Sequence, residues 1–433
     1  MGFTGDMKFL EKCLTHLRQS FAAMPDKRAG SNRQYFMEDV GMGAFSVFFM
    51  QQPSFLAFQR TLHQNMGRDN TQTLFGMNRI PTDNHIRNML DGIPPSHFVE
   101  DYFFIIDELA SAGVPVVRNS MGNYTLIALD GSEYYCSKKL WCPNCNTRLR
   151  SDGELEYFHS FFAASIVKPG KKEVFSLPPE FITPQDGTNK HDCEWNAAKR
   201  WLNRFSTRCA KYNPVYLGDD LYAKHEICLN ILQSQGHFIF TCKDTSHKTL
   251  LEYRKGLVPE MYHEIKGTGS QRREYSYSWL RGLPIRDGKD AVVVNWINVK
   301  ISLPGGRTTY NASFITDLHP DAGNIVELAA CARARWKIEN ETFNVLKNKG
   351  YHLEHNFGHG KQTLSSVLVA LNLIAFSLHA ACDACEPDWQ KAREICGARN
   401  RMFTILWSLT AYLVFPTWSA FLKMVATGRP PPP

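Results

Sequence analysis

Apolar residues recur at helical spacing through the first quarter of the chain, then at strand spacing through the middle. Thr82 or Asp83 can cap a helix whose apolar positions are Ile86, Met89, Leu90 and Ile93, with Gly92 near its end. Pro94-Pro95 interrupts the pattern, and Ser96 can cap a second helix carrying Phe98, Tyr102, Ile105, Ile106 and Leu109 up to Gly113. Residues 1–115 therefore read as a helical N-terminal domain. Short helices, tight turns and scattered Arg and His suit either a helix-turn-helix DNA reader or a plain packing domain.

After Pro115 the period falls to two. Val116-Val117-Arg118 can form at best an edge strand beside the proline. Tyr124–Leu129, Tyr157–Val167 and Glu173–Leu177 read as an antiparallel meander, with Pro169-Gly170 turning between the last two. An amphipathic helix over Asp192–Arg208 turns Ala197, Ala198, Trp201, Leu202 and Phe205 inward, with Arg200, Arg204 and Arg208 on its other face. A strand ending at Asp219, a helix over Ala223–Gln233 and a strand over His237–Cys242 follow. This order predicts an α/β fold in which residues 116–245 form the first part of an RNase H-like core. Residues 246–318 read as a β-rich insertion, with strands within Asp290–Ser302 and Tyr310–Thr316. Residues 319–390 return to the core with a long helix over 332–347. Residues 391–433 form a helical C-terminal region with a Pro430–Pro433 tail.

Composition narrows the class. The chain has 433 residues, is 43% hydrophobic and carries a net charge of +7, which suits a globular protein of several domains. Residues 246–310 hold 11 Lys/Arg against 6 Asp/Glu, and a local basic excess points to a polyanion partner or to ordinary solubilising charge. Twelve cysteines are too sparse for a disulfide scaffold. Met1–Lys12 lacks the apolar core of a signal peptide, so reduced thiols in the cytoplasm are the expectation. Leu364–Cys382 and Phe403–Leu422 are apolar but interrupted, and read as buried helices rather than membrane spans.

Three carboxylates carry the candidate chemistry. Asp130 follows the strand-like run Tyr124–Leu129, Asp219 ends Pro214-Val-Tyr-Leu-Gly-Asp-Asp, and Glu339 lies inside the predicted helix. Two strand-end aspartates and a helical glutamate can hold two divalent cations about 3.5–4 Å apart, as phosphodiester chemistry requires. Each has a plainer role available. Asp130-Gly is a hairpin turn signal, Asp219-Asp220 could cap the next helix, and Arg335 with Glu339 could be only an i,i+4 pair. Asp220 and Glu341 are the nearby alternates.

Taken in order, these motifs resemble the DDE transposases of bacterial insertion sequences, in the branch with a β-rich insertion and a Tyr-x2-Arg-x3-Glu-x6-Lys signature. The resemblance covers roughly residues 120–365. It rests on Ala128-Leu-Asp130-Gly-Ser-Glu133, Leu217-Gly-Asp219-Asp-Leu-Tyr222, Arg335-Trp-Lys-Ile-Glu339 and Tyr351-His-Leu-Glu-His-Asn-Phe-Gly-His-Gly360. The signature tyrosine is replaced by Ala332 and the lysine by Leu346, with Lys347 one residue late. The resemblance implies a catalytic, metal-holding trio of Asp130, Asp219 and Glu339. It also implies two Mg2+ (or Mn2+) ions, and Arg335 and Lys347 on DNA phosphate. The implied partners are duplex DNA, as inverted terminal repeats and target. A homodimer on DNA, at the bacterial nucleoid and away from membranes, is expected. A catalytically inactive DNA-binding relative and a metal-dependent nuclease are the alternatives.

Two further constellations stand out. Cys142-Pro-Asn-Cys145, with Cys136 before it and His159 after it, could close a tetrahedral Zn2+ site or be a loop of reduced thiols. His191-Asp192-Cys193-Glu194 sits at a helix start, where capping and dipole complementarity explain it better than a metal site or a Cys nucleophile. The insertion interleaves cations and rings, and Arg272, Arg273 and Trp279 are its candidate DNA contacts; the resemblance implies an aromatic here that holds a flipped base, Trp279 or Trp296, although Trp296 between Val294 and Ile297 reads more readily as core. His352, His355 and His359 follow the glutamate helix, as loop packing or as catalysis.

Overall fold

The structure is a computed structural model and describes residues 8–29, 33–62, 65–115, 117–184 and 193–429. Val116, His191, Asp192, the first seven residues and the Pro430–Pro433 tail lie outside the described residues.

Eleven strands form one mixed sheet: β1 (Thr125–Ser137), β2 (Asn146–Leu149), β3 (Leu155–Val167), β4 (Phe175–Ser176), β5 (Glu180–Ile182), β6 (Pro214–Gly218), β7 (His237–Thr241), β8 (Glu260–Lys266), β9 (Arg273–Pro284), β10 (Val293–Ser302) and β11 (Thr308–Thr316). The order is β2-β3-β1-β6-β7-β11-β10-β9-β8, with β4 and β5 also pairing with β3. β1 and β3 are antiparallel, whereas β1–β6 and β6–β7 are parallel. The near-continuous apolar runs of β6 and β7 fit strands covered on both faces. The helix Glu194–Cys209 buries Ala197, Ala198, Trp201, Leu202 and Phe205, as their spacing predicts.

The structure changes or fills out four expectations. Val117 and Arg118 lie in a turn rather than an edge strand, with Arg118 at φ +54°. The arginine row on Glu194–Cys209 is ion-paired, Arg200 and Arg204 with Glu180 and Arg208 with Glu100. The segment 246–318 does not form a separate β unit. It begins with a helix, Lys248–Arg254, and its strands extend the same sheet because β11 pairs antiparallel with β7. Its cations are also largely matched: Arg254 with Asp244, Arg272 with Glu274, Arg281 with Glu260.

The fourth change concerns the N-terminal helices, which share one core with the C-terminal ones. Leu364–Cys385 is long and apolar enough to cross a membrane, yet 94% of its most apolar window is buried inside the protein. Tyr102 Oη donates to the Ala370 carbonyl on this helix at 2.7 Å. Trp407 Nε1 donates to Met50 O at 2.6 Å, Trp418 Nε1 to Leu74 O at 2.7 Å, and Lys8 pairs with Asp388. The helix Met37–Phe49 is buried at every position except Glu38, so it has no face to offer a DNA groove.

Trp279 is likewise interior, 2% exposed on β9, where it cannot meet a displaced base. The sequence reading of it as a DNA contact is corrected: the face of β9 that bears it packs inward. Trp279→Ala should therefore lower stability by about 3–5 kcal/mol, as removal of a large core ring does. Denaturant unfolding measures this. An unchanged unfolding midpoint would contradict the placement.

Candidate active site

Strand register decides which carboxylates meet. In the parallel pair, Ala128 of β1 lies opposite Leu217 of β6. Asp130 lies two residues beyond this pairing on β1, and Asp219 follows the last residue of β6, so both are near the same end of neighbouring strands. β6 stops at Gly218, while β1 runs on through Asp130 to Ser137. Asp130-Gly131 is thus not a hairpin turn. It is the point where β1 loses its parallel neighbour, and a backbone edge opens beside the carboxyl.

Gly218 is required by close packing, and Gly131 leaves the room that Glu194 occupies. A Cβ on Gly131 would strike the carboxyl of Glu194, and one on Gly218 would lie 2.6 Å from the Tyr222 ring. Tyr222 Oη in turn donates to Glu194 Oε1. Glu194, the first residue of its helix, is thereby held among the aspartates. Asp219 Oδ1 accepts the Leu221 N–H at 2.8 Å, a local turn bond that orients its carboxyl.

Glu339 arrives from the other side. The chain from Ile325 to Asn348 is not one straight α-helix: Ile325–Arg333 ends in a turn at Ala334-Arg335, and Ile338–Phe343 is π-helical before Asn344–Asn348. Arg335 Nη1 is 2.7 Å from Glu339 Oε1 and 4.0 Å from Asp130 Oδ2, so one guanidinium bridges these two carboxylates. A π turn takes one residue more than an α turn, so side chains beyond it shift by one position. Leu346, at the signature lysine spacing, accordingly points into the core, while Lys347 lines the same open cleft as Asp130 and Glu339. That cleft has a volume of about 610 Å³, and Lys347 pairs across it with Glu354 at 2.8 Å. Ala332, at the signature tyrosine position, is buried. Asp219 is not among the residues that line this cleft.

No protein-family model matches this chain, and no curated protein is significantly similar to it.

The electrostatics are lopsided. Burial, and next the charge of Glu194, push the Asp130 carboxyl up to about 7; Arg335 offsets only part of this. Glu194 is also raised, first by burial, with the charge of Asp219 contributing. Asp130 thus feels Glu194, Arg335 and Glu339, and Asp219 bears on Glu194, while among the described residues the one Cys/His/Asp/Glu group close enough to share a metal ion is Cys142, Cys145, His159 and His359. Asp220, one of the alternates, is turned away: it accepts from Lys243 N at 2.6 Å and pairs with His247. Glu341 lines a different cavity, with Arg393 and Arg399.

Of the other candidates, Arg272 and Arg273 are at the start of β9, in the sheet extension rather than the carboxylate cluster. Cys142, Cys145 and His159 do come together, but Cys136 is exposed and stands apart, and His359 takes the fourth place. β1 carries Cys136 outward just before the turn that folds Cys142 and Cys145 back. Glu194 and His359 are the two site residues that sequence reasoning left aside. Glu194 was read as a helix cap, and His359 as one of three loop histidines.

The raised Asp130 carboxyl has a measurable consequence. Between its unfolded value of 3.8 and about 7, the folded protein holds a proton that the unfolded chain has lost. This group therefore subtracts stability as pH rises through that window, and the penalty is complete above about 7. Asp130→Asn should remove that slope and be more stable than the parent at pH 8 without divalent metal. Thermal melts across pH test this; equal melting at pH 8 would refute the buried, proton-holding Asp130.

Proposed function

We propose that the chain is a DNA transposase with an RNase H-like core, which cleaves and joins DNA strands with Mg2+ or Mn2+ held by Asp130, Asp219 and Glu339. The observation that carries this reading is Arg335, which reaches both Asp130 and Glu339 in one cleft, and the parallel β1–β6 pairing supports it by bringing Asp219 to the same end of the sheet. The order β3-β1-β6-β7, an antiparallel pair followed by two parallel strands, supports the RNase H-like assignment.

The donor set fits the metal. Its hard carboxylate oxygens suit Mg2+, and the protonation that burial imposes on Asp130 is what a divalent cation would displace. Bound there, a pair of such ions supplies charge stabilisation for the attacking and leaving oxygens of an in-line displacement. Arg335 holds Glu339 toward Asp130 and presents a guanidinium to phosphate. Lys347 faces the cleft in place of the displaced signature lysine and can leave Glu354 for a phosphate oxygen. In the reaction, water attacks a backbone phosphorus and the bond to the 3′ oxygen breaks. The freed 3′-OH then attacks a phosphorus of target DNA, joining to it as the target's own P–O3′ bond breaks and leaves a 3′-OH on the target strand.

The test uses the purified full chain, Mg2+ or Mn2+, and DNA carrying the inverted repeats that flank its gene. Alanine at Asp130, Asp219 or Glu339 should abolish cleavage while end binding persists, because phosphate contacts elsewhere carry affinity. Lys347→Ala should slow cleavage by about 10²-fold, the scale of losing one charge-stabilising donor. Glu194→Gln should raise the Mg2+ concentration required. Cleavage without joining would make the protein a nuclease; binding without either would make it an inactive relative.

The basic extension is tested separately. If Arg272 and Arg273 grip phosphate, replacing both by Ala should weaken binding to all duplexes alike and flatten the salt dependence of log K by about 0.9 per lost contact. An unchanged slope would leave them as solvated charge beside Glu274.

A further inference from the structure

Away from the carboxylates, four soft donors from three separate parts of the chain converge on one point. Cys142 and Cys145 lie in the Cys-Pro-Asn-Cys turn between β1 and β2, closed by Cys145 N–H donating to Cys142 O at 3.0 Å. His159 is on β3 opposite Tyr135, just past the irregularity in the β1–β3 ladder. His359 comes from the loop beyond the glutamate helix, 200 residues after His159. Cys142, Cys145 and His159 are buried and His359 is half-buried.

Their spacing is that of a tetrahedron's corners. Cys142 Sγ–Cys145 Sγ is 3.9 Å, Cys142 Sγ–His159 Nε2 3.5 Å and Cys145 Sγ–His159 Nε2 3.4 Å. Cys145 Sγ–His359 Nε2 is 3.5 Å, His159 Nε2–His359 Nε2 is 3.2 Å, and all four atoms lie within 4.8 Å of one another. A Zn2+ ion with bonds of about 2.3 Å to sulfur and 2.0–2.1 Å to nitrogen requires edges of about 3.8 Å (S–S), 3.6 Å (S–N) and 3.3 Å (N–N). The five measured edges follow that order and size. A disulfide is excluded as the reason for the approach, since it needs sulfurs about 2.05 Å apart.

We propose that Cys142, Cys145, His159 and His359 bind one structural Zn2+ ion, which fastens the loop after the glutamate helix to the β1–β2 turn. The donor set selects the metal: two thiolates with two imidazoles suit zinc, whereas Mg2+ wants hard oxygens. With four protein ligands the coordination shell is closed, so the ion is structural rather than catalytic. The surroundings are those of a metal site. His359 Nδ1 is 3.2 Å from Gly360 O and donates to it, which leaves Nε2 as the metal-facing lone pair. Cys142 N–H approaches Cys145 Sγ at 3.4 Å, a backbone donor to a thiolate.

The loop so held is continuous with the cleft and the core helix. Glu354, partner of Lys347, lies five residues before His359. Immediately after it, Asp91 accepts the backbone N–H groups of Lys361, Gln362, Thr363 and Leu364 at the start of Leu364–Cys385. Asn144, inside the cysteine turn, donates to Gln362 O at 2.7 Å. The zinc would complete a join that these bonds already outline.

The proposal is independent of the transposase reading, and its test reads metal rather than DNA. Protein purified without chelator or metal-affinity tag should contain about one zinc per chain by elemental analysis. The double variant Cys142→Ser, Cys145→Ser should lose it, His359→Ala should lose or weaken it, and Cys136→Ser should retain it. Should the double variant fold poorly, cobalt substitution of the parent gives a second readout. Tetrahedral Co2+ with two thiolates shows intense visible bands and sulfur-to-metal charge transfer, displaced by one equivalent of Zn2+ and not by Mg2+. Zinc retained in the double variant, or parent protein with no zinc and no such cobalt spectrum, would overturn the assignment.

Discussion

The pairing of β1 with β6 is the constraint on which the site depends. Parallel strands exchange evenly spaced, slanted hydrogen bonds, and one register among them sets Ala128 against Leu217. Slipping by one residue would turn Asp130 to the opposite face and bury a charge in the core. The apolar residues Leu126 to Leu129 and Val215 to Leu217, all fully buried, make that slip prohibitive. Core packing thus fixes which end of the two strands carries Asp130 and Asp219, and the early end of β6 leaves β1 unpaired on that side beside Asp130.

Around that pair, small residues do the positioning. Gly131 lets Glu194 approach β1, and Gly218 lets Tyr222 fold beneath β6 to hold Glu194. Arg335 sits at a break between helices rather than inside one, which frees its guanidinium to reach both Glu339 and Asp130. The π turn that follows sets the phase of everything after it. It is why the cleft receives Lys347 and the core receives Leu346.

Much of this was legible in the sequence, and the reasons are local. The alternation in Tyr157–Val167, the stripe Ala197-Ala198-Trp201-Leu202-Phe205 and the cap at Thr82 each act within a few residues, and each element appears where it was expected. Asp130 and Asp219 could be picked out because each follows an apolar run. What escaped depends on partners distant in the chain. Glu194 has a site role only because Gly131 and Tyr222 make room for it. His359 replaces Cys136 beside the cysteine turn because of how a loop returns two hundred residues later. Trp279 shares the period-two pattern of Tyr275 and Tyr277, which reports one face of a strand but not whether that face is covered. The insertion 246–318 was recognisably β-rich, yet its fusion to β7 through β11 is a pairing between strands that no local pattern specifies.

The interlocking of the two helical ends has a consequence in time. Met50 waits for Trp407, Leu74 for Trp418, and Asn70 donates to Thr410 O at 3.1 Å across 340 residues. A ribosome adding about 5–20 residues per second needs tens of seconds to cover such a distance. Through that interval, the apolar faces of Met37–Phe49 and Val99–Ser111 have no finished core to enter. Through most of its synthesis the nascent chain therefore carries apolar helix faces whose partners are not yet made. Its last helices act as a latch that converts a sheet with loose flanks into a closed protein.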